Sequence, residues 1–350
     1  MKKLKNTLIL LSVLVFILTC KEDTGDDDII IGPSVSVYVA GSYYGVSDGI
    51  ACYWKDGVKT DLPGGTDSHG IAVSGGSVYV AGGYSDNGKE KACYWKDSVK
   101  IDLPGGTRSR AYGMTVLNSS VYVAGSYYDG NNNPIACYWK DGVKIDLPVP
   151  AGTTSSGAGG ITVSEGSIYI EGSYSDSSNN HICCYWKDGI RTDIVLQIPA
   201  GTTYGTNGIA VSGGSVYLSG DCWFGGNNSI LCYWKDGVRT DLPLPAGSSC
   251  GETGGIAVSG GSVYVAGVYD DGKAGKICYW KDGVRIDLPL PAETEEAEDD
   301  GLEIVVYGGS VYITGNYWDG KNVIPCYWKD MVRTDLTLDW WVYGITVAEN

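Results

Sequence analysis

The sequence predicts an all-β protein, a seven-bladed β-propeller with four antiparallel strands per blade, and three observations carry that expectation. The phrase Cys-Tyr-Trp-Lys-Asp begins at Cys52, Cys93, Cys137, Cys184, Cys232, Cys278 and Cys326. Successive gaps are 41, 44, 47, 48, 46 and 48 residues, the range in which sheet-bladed repeats recur. Each period divides into four short β-prone runs. The last run of the chain supplies the one that the first period lacks.

The period that starts at Gly208 shows the four runs. Gly208-Ile-Ala-Val-Ser212 is strand A, short and apolar. Gly213-Gly214 is a two-residue turn that tolerates positive φ. Strand B starts at Ser215 and is rich in β-branched and aromatic residues. A Gly/Asn-rich loop leads to strand C, Ile230-Leu-Cys-Tyr-Trp-Lys235, and Asp236-Gly237 signals a hairpin into strand D from Val238. Strand B recurs from Ser36, Ser77, Ser120, Ser167, Ser215, Ser262 and Ser310, and strand D from Val58, Val99, Val143, Ile190, Val238, Val284 and Val332. No strand A precedes Ser36; its copy is Gly344-Ile-Thr-Val-Ala348 at the far end. A chain that enters at B of blade one and ends by supplying A of that blade closes a ring and leaves no open edge. A linear solenoid would instead need capping repeats.

Composition agrees. Fifty-two Gly, 26 Tyr and 11 Trp against two Phe suit many short strands and tight turns. The formal charge is −16, and removal of the first 19 residues with Lys2, Lys3 and Lys5 would make it −16 − 3 = −19. Such a surface repels phosphate backbones, so nucleic acid is excluded as an expected partner.

Lys2, Lys3 and Lys5 precede an apolar run from Leu8 to Leu18 that ends at Thr19-Cys20. The run is too short for a membrane span and suits an export signal. It resembles a bacterial lipoprotein signal, with Ile17-Leu18-Thr19-Cys20 in the place of the lipobox. That resemblance implies a signal over residues 1–19, lipidation of Cys20, an acidic tether over 20–34 and a propeller over 35–350. The expected partner is then a membrane, reached through the N-terminal lipid, and the expected location is the cell envelope, at the outer membrane or cell surface.

The repeat also resembles the HAF-type extracellular repeats of bacteria, over roughly residues 36–350. Their phrase is matched in blade one by Ala51, Trp54, Asp56, Gly57 and Leu62, then by Gly70, Val73, Val80 and Gly82. The resemblance implies an exported repeat protein and no shared reaction.

The A–B and C–D turns are uniformly tight, and alternation of strand direction puts both at one end of the ring. The B–C and D–A connections share the other end and vary in length, which makes that end the expected functional face. Residues just before strand A should ring the channel mouth: His69, Tyr112, Gly159, Asn207, Gly254, Leu302 and Tyr343. With Glu303, Trp340, Trp341, Arg108 and Arg110 they offer aromatic platforms and directed polar groups, as a sugar or peptide site requires. An ordinary set of loop residues, with the tryptophans packed under their own loop, is the competing reading.

Little suggests catalysis. The chain has two histidines, no paired-His or Cys-x-x-Cys spacing and no nucleophile elbow, so neither a metal nor a cofactor is expected. Glu303 with His69 is the one acid/base pair that the placement suggests. Asp129, Asp270 and Asp319 lie in oxygen-rich B–C loops that could bind calcium, although hairpins need the same residues. The acidic run Glu293, Glu295, Glu296, Glu298, Asp299 and Asp300 reads as a solvated loop. The seven repeated cysteines sit too far apart from blade to blade to pair and read as small buried apolar residues. Cys222 counts back to a place roughly opposite Cys232, which makes one cross-strand disulfide a candidate. The leading functional expectation is a binding module for glycan or protein. A glycan-active lyase or hydrolase at the channel mouth and a purely structural envelope protein are the alternatives.

Overall fold

The computed structural model describes residues 34–43, 49–194, 203–223, 229–248, 250–292, 294, 296–297, 301–337 and 340–350. The expected signal, the lipidation site Cys20 and nearly all of the tether lie outside them, as does most of the acidic run. Among the described residues there is no α-helix, and so none long and apolar enough to cross a membrane.

Seven antiparallel sheets form seven blades in a ring, each in the order A-B-C-D from the channel outward. Blade one takes strand A from Trp340–Glu349, strand B from Val35–Tyr43, C from Ile50–Lys55 and D from Val58–Asp61. Its A–B register runs from Val35 opposite Glu349 to Tyr43 opposite Trp340, and Ser36 Oγ donates to Asn350 Oδ1 at 2.6 Å. The ring is therefore closed by the two ends of the folded chain.

The repeated phrase explains itself once the blades are stacked. Each C–D turn Asp, from Asp56 to Asp330, has φ between 46 and 51°, a left-handed conformation that Asp tolerates better than most residues. Its Oδ1 accepts the backbone N–H of the β-branched residue that follows the repeated Ser of strand B, Val37 in blade one and Val311 in blade seven, at 2.8–2.9 Å throughout. One aspartate thus shapes the C–D hairpin and ties it to the A–B hairpin.

The repeated tryptophans are the largest fully buried side chains. Each joins the core between its own blade and the preceding one, where it meets the partly buried Tyr of that blade's phrase; Trp95, for example, shares a cluster with Tyr53, Leu62 and Cys93. In five blades the indole N–H donates to a proline carbonyl at the end of the preceding strand D, at 2.7–3.2 Å. Trp54 makes the equivalent bond across the closure, to Thr337 Oγ1 at 3.4 Å. The hydrophobic interior is thus seven separate layers between blades, and the axis is left open.

Strand A begins earlier than its apolar run suggests. In blade five it spans Thr203–Ser212, in blade two Asp67–Ser74 and in blade three Ser109–Leu117. The added residues belong to the ladder but precede a β-bulge that interrupts it. Blade seven departs most: its inner strand is split into Glu296–Ala297 and Ile304–Tyr307.

Candidate functional site

The bulges make the site. Pairing with strand B skips His69-Gly70, Tyr112-Gly113, Gly159-Gly160, Asn207, Gly254-Gly255 and Tyr343. A bulge leaves its extra residues out of the ladder and re-aims a side chain. Here it turns one residue in each of six blades toward the axis.

The glycine that follows lets adjacent inner strands touch. A Cβ on Gly70 would lie 2.5 Å from the Tyr112 carbonyl oxygen, and one on Gly113 would lie 2.6 Å from that of Gly159. Only blade seven carries a side chain at this place, Glu303. Its inner strand is broken there, and Thr314 holds the backbone instead: Thr314 N–H donates to the Glu303 carbonyl at 3.0 Å, and Glu303 N–H donates to Thr314 Oγ1 at 3.0 Å. The Glu303 carboxylate leans over Gly255 of blade six, where no Cβ would fit.

The resulting cavity holds about 760 Å³ and is lined by inner-strand residues of all seven blades. On one side His69 touches Tyr343 and Tyr112, with ring centroids 4.9 and 5.4 Å apart. Elsewhere on the wall stand Glu303, Glu252 and Glu171. Blade four opens the cavity sideways to Ser173, His181 and Cys183. A Cβ on Gly157 there would meet nothing within 4 Å.

Glu171 is 5% exposed and occupies a strand B position held by Ala40, Ala81, Ala124, Ser219, Ala266 and Thr314 in the other blades. Gly160 N–H donates to its Oε1 at 2.7 Å and Thr206 Oγ1 to its Oε2 at 2.8 Å. Burial nevertheless outweighs these bonds and pushes its pKa up. Glu303 is pushed up to about 7, chiefly by burial; the Ile304 N–H pulls it back and the Glu171 charge adds to the rise. Burial also raises Asp221, which accepts from Asn207 Nδ2 at 2.9 Å and Trp223 Nε1 at 2.7 Å.

The nine residues singled out from the sequence fall into distinct places. His69, Tyr112, Asn207, Glu303 and Tyr343 line the cavity. Arg108 and Arg110 stand outside its lining and share Glu90, at 3.4 and 2.6 Å from its Oε2. Trp341 is half-buried and likewise outside the lining. Trp340 is buried in the layer between blades seven and one, 5.1 Å from the Tyr43 ring and edge-on to Trp54 at 5.8 Å. Alternation along strand A decides this, since Trp340 and Val342 face the layer while Tyr343 is turned by the bulge.

Glu171, Glu252, His181 and Cys183 are cavity residues that the sequence reading passed over. Alignment of the seven B strands would have found Glu171 as the one acidic residue in its column. Cys183 stands 3.7 Å from His181 Nε2, but burial drives its thiol up to about 12, so it is not an activated nucleophile.

Cys222 and Cys232 are not directly opposite. Cys222 faces Ile230 and Cys232 faces Gly220, so the two lie two places out of register with each other. The two thiols are diagonal neighbours and both are free; they share a hydrogen bond, and Arg239 Nη1 lies 3.8 Å from Cys222 Sγ. The seven repeated cysteines are fully buried; loss of water raises six of their thiols, and in Cys232 the hydrogen bond to Cys222 raises it first, with burial adding to the rise. Asp129 and Asp319 bind the amides of their own loops, at 2.7–2.9 Å. Among the described residues no group of three His, Cys, Asp or Glu side chains could hold a metal ion.

No family model and no curated protein sequence matches the chain. Solved structures do match its fold. The β-propeller domain of the Trilobed protease from Pyrococcus furiosus superposes with a TM-score of 0.54 at 9% identity, over 87% of this chain and 94% of that one. A puromycin-hydrolyzing peptidase of Mycobacterium tuberculosis gives 0.56 at 11% identity, over 86% of this chain and 53% of that one. The first is described as having an open velcro topology, whereas here the final strand closes the ring.

Proposed function

We propose that the protein is an exported, lipid-anchored propeller that binds a glycan or protein partner through its variable-loop face, with the channel mouth as the site. The observation that carries the reading is where the repeat stops repeating. Outer-strand residues are the same in blade after blade, while the bulge residues and Glu171 differ from blade to blade and converge on one cavity. Its size is that of a pocket for a small ligand or one end of a larger one. Export and anchoring are supported by the basic start, the apolar run and Cys20, and by the likeness to HAF-type repeats in the residues quoted above.

The test is binding of residues 21–350 to arrays of glycans and envelope proteins, beside a His69→Ala/Tyr343→Ala double variant. A hit lost in the variant places the ligand in the channel; a hit retained moves the site elsewhere. Loss of membrane association in a Cys20→Ala chain, with loss of lipid labelling, would support the anchor, and unchanged fractionation would refute it.

One observation favours a second reading, that of a glycan lyase or hydrolase. A carboxyl near pH 7 in an enclosed site has the proton affinity of a general acid. Turnover of an array hit, abolished in Glu303→Gln, would move the assignment to that class.

A further inference from the structure

The binding reading leaves the ligand's chemistry open, and the cavity wall narrows it. Two of its departures from the repeat introduce carboxyl groups, Glu303 where the other six blades have glycine and Glu171 where they have Ala, Ser or Thr. Glu252 adds a third. No Lys or Arg is among the described lining residues, and the arginines near the mouth are engaged by Glu90. An anionic ligand would meet no Lys or Arg there to pair with. These carboxyls do not stand alone: the electron-rich rings of Tyr112 and Tyr343 flank His69 on another part of the same wall. Carboxylates attract an ammonium group, and a ligand long enough to cross the channel would also reach the aromatic faces. The rings also offer stacking area for a sugar, and short polar side chains such as Ser173 line the same space.

Resting on the reading of the channel as the binding site, we infer that it takes an amino sugar with a free, protonated amine, the ammonium group held by Glu303 and Glu171 and the rest of the sugar reaching the rings across the channel. Acetylation of that amine removes the charge and adds bulk, and so defines the comparison to make.

The measurement is calorimetric titration of the full chain with a glucosamine trimer carrying free amines and with its N-acetylated counterpart. Tighter binding of the free-amine trimer by tenfold or more is expected. Glu303→Gly and Glu171→Ala should each lower that affinity at least tenfold. Both changes install the residue that sibling blades already carry, so a folded ring is expected and can be checked by its unfolding midpoint. Equal or tighter binding of the N-acetylated trimer overturns the amine assignment. If that binding is lost in His69→Ala/Tyr343→Ala, the channel site itself still stands. A lysine-rich peptide that binds more tightly than either sugar also overturns the amino-sugar class. If neither trimer binds and an array hit survives the double variant, the amine assignment and the channel reading fail together.

Discussion

Strand C and strand A of the same blade have been shaped by different demands. Strand C carries one phrase seven times, because every one of its side chains meets the same neighbours in every blade. Trp fills the layer before it, Tyr lines the layer after it, Cys fits beneath strand B, and Asp ties two hairpins together. Strand A keeps its apolar half for the same reason. In six blades its bulged half meets the channel, and there the copies read His69, Tyr112, Gly159, Asn207, Gly254 and Tyr343, while the equivalent Leu302 of blade seven packs into the core. Repetition thus marks packing between blades, and its breakdown marks the surface left for something else.

The contrast can be broken most severely from its packing side. Trp139→Ala removes a fully buried indole and its 2.7 Å bond to the Pro104 carbonyl, and should cost about 3–5 kcal/mol. Tyr343→Ala, on the channel side, should cost roughly 1 kcal/mol or less. Denaturant unfolding of both variants checks the pair, and equal losses would mean that the channel rings are core after all.

The next effect tests the channel side through pH. Glu303 rises from an ordinary 4.5 to about 7 on folding, so between those values the folded chain holds a proton that the unfolded chain gives up. Its contribution is intact below pH 4.5 and is lost as pH rises toward 7, at a cost of up to about 3 kcal/mol. Glu303→Gln should therefore gain stability over the parent at pH 8 and show no such gain at pH 4. Unfolding midpoints at the two values decide it, and parallel pH curves would refute the shift.

Smaller effects sharpen the account of the repeated turn. Asp141→Ala loses the bond to Val121 N–H and the residue's tolerance of φ 50°, for about 1–2 kcal/mol. Met331 sits at φ 73° where five sibling turns have glycine, so Met331→Gly should stabilise by about 1 kcal/mol. Thermal unfolding would show the first as a fall and the second as a rise.

The blades, their number and their closure were legible in the sequence because they depend on local signals that recur seven times. His69, Tyr112, Asn207 and Tyr343 were legible as well, by counting to one place in each period. Trp340 was misleading because two adjacent tryptophans point to opposite faces, and only the bulge two residues on decides which. Glu171 went unseen for a different reason: it lies inside strand B, a run that elsewhere reads as pure scaffold. A site read from loops alone misses a wall built of strands.

The pairing of Val35–Tyr43 with Trp340–Glu349 also sets an order of events in time. The strand Val35–Tyr43 waits for a partner almost three hundred residues further along the chain; the Ser36–Asn350 contact spans 314. Joining ends so far apart adds little to the equilibrium cost, since each doubling of a loop adds only about 0.6 kcal/mol, but contacts so distant in sequence form slowly. Until the final ten residues arrive, blade one shows an unpaired backbone edge to any neighbouring chain. A chain whose synthesis stalled near residue 340 would present an almost complete ring with an adhesive seam.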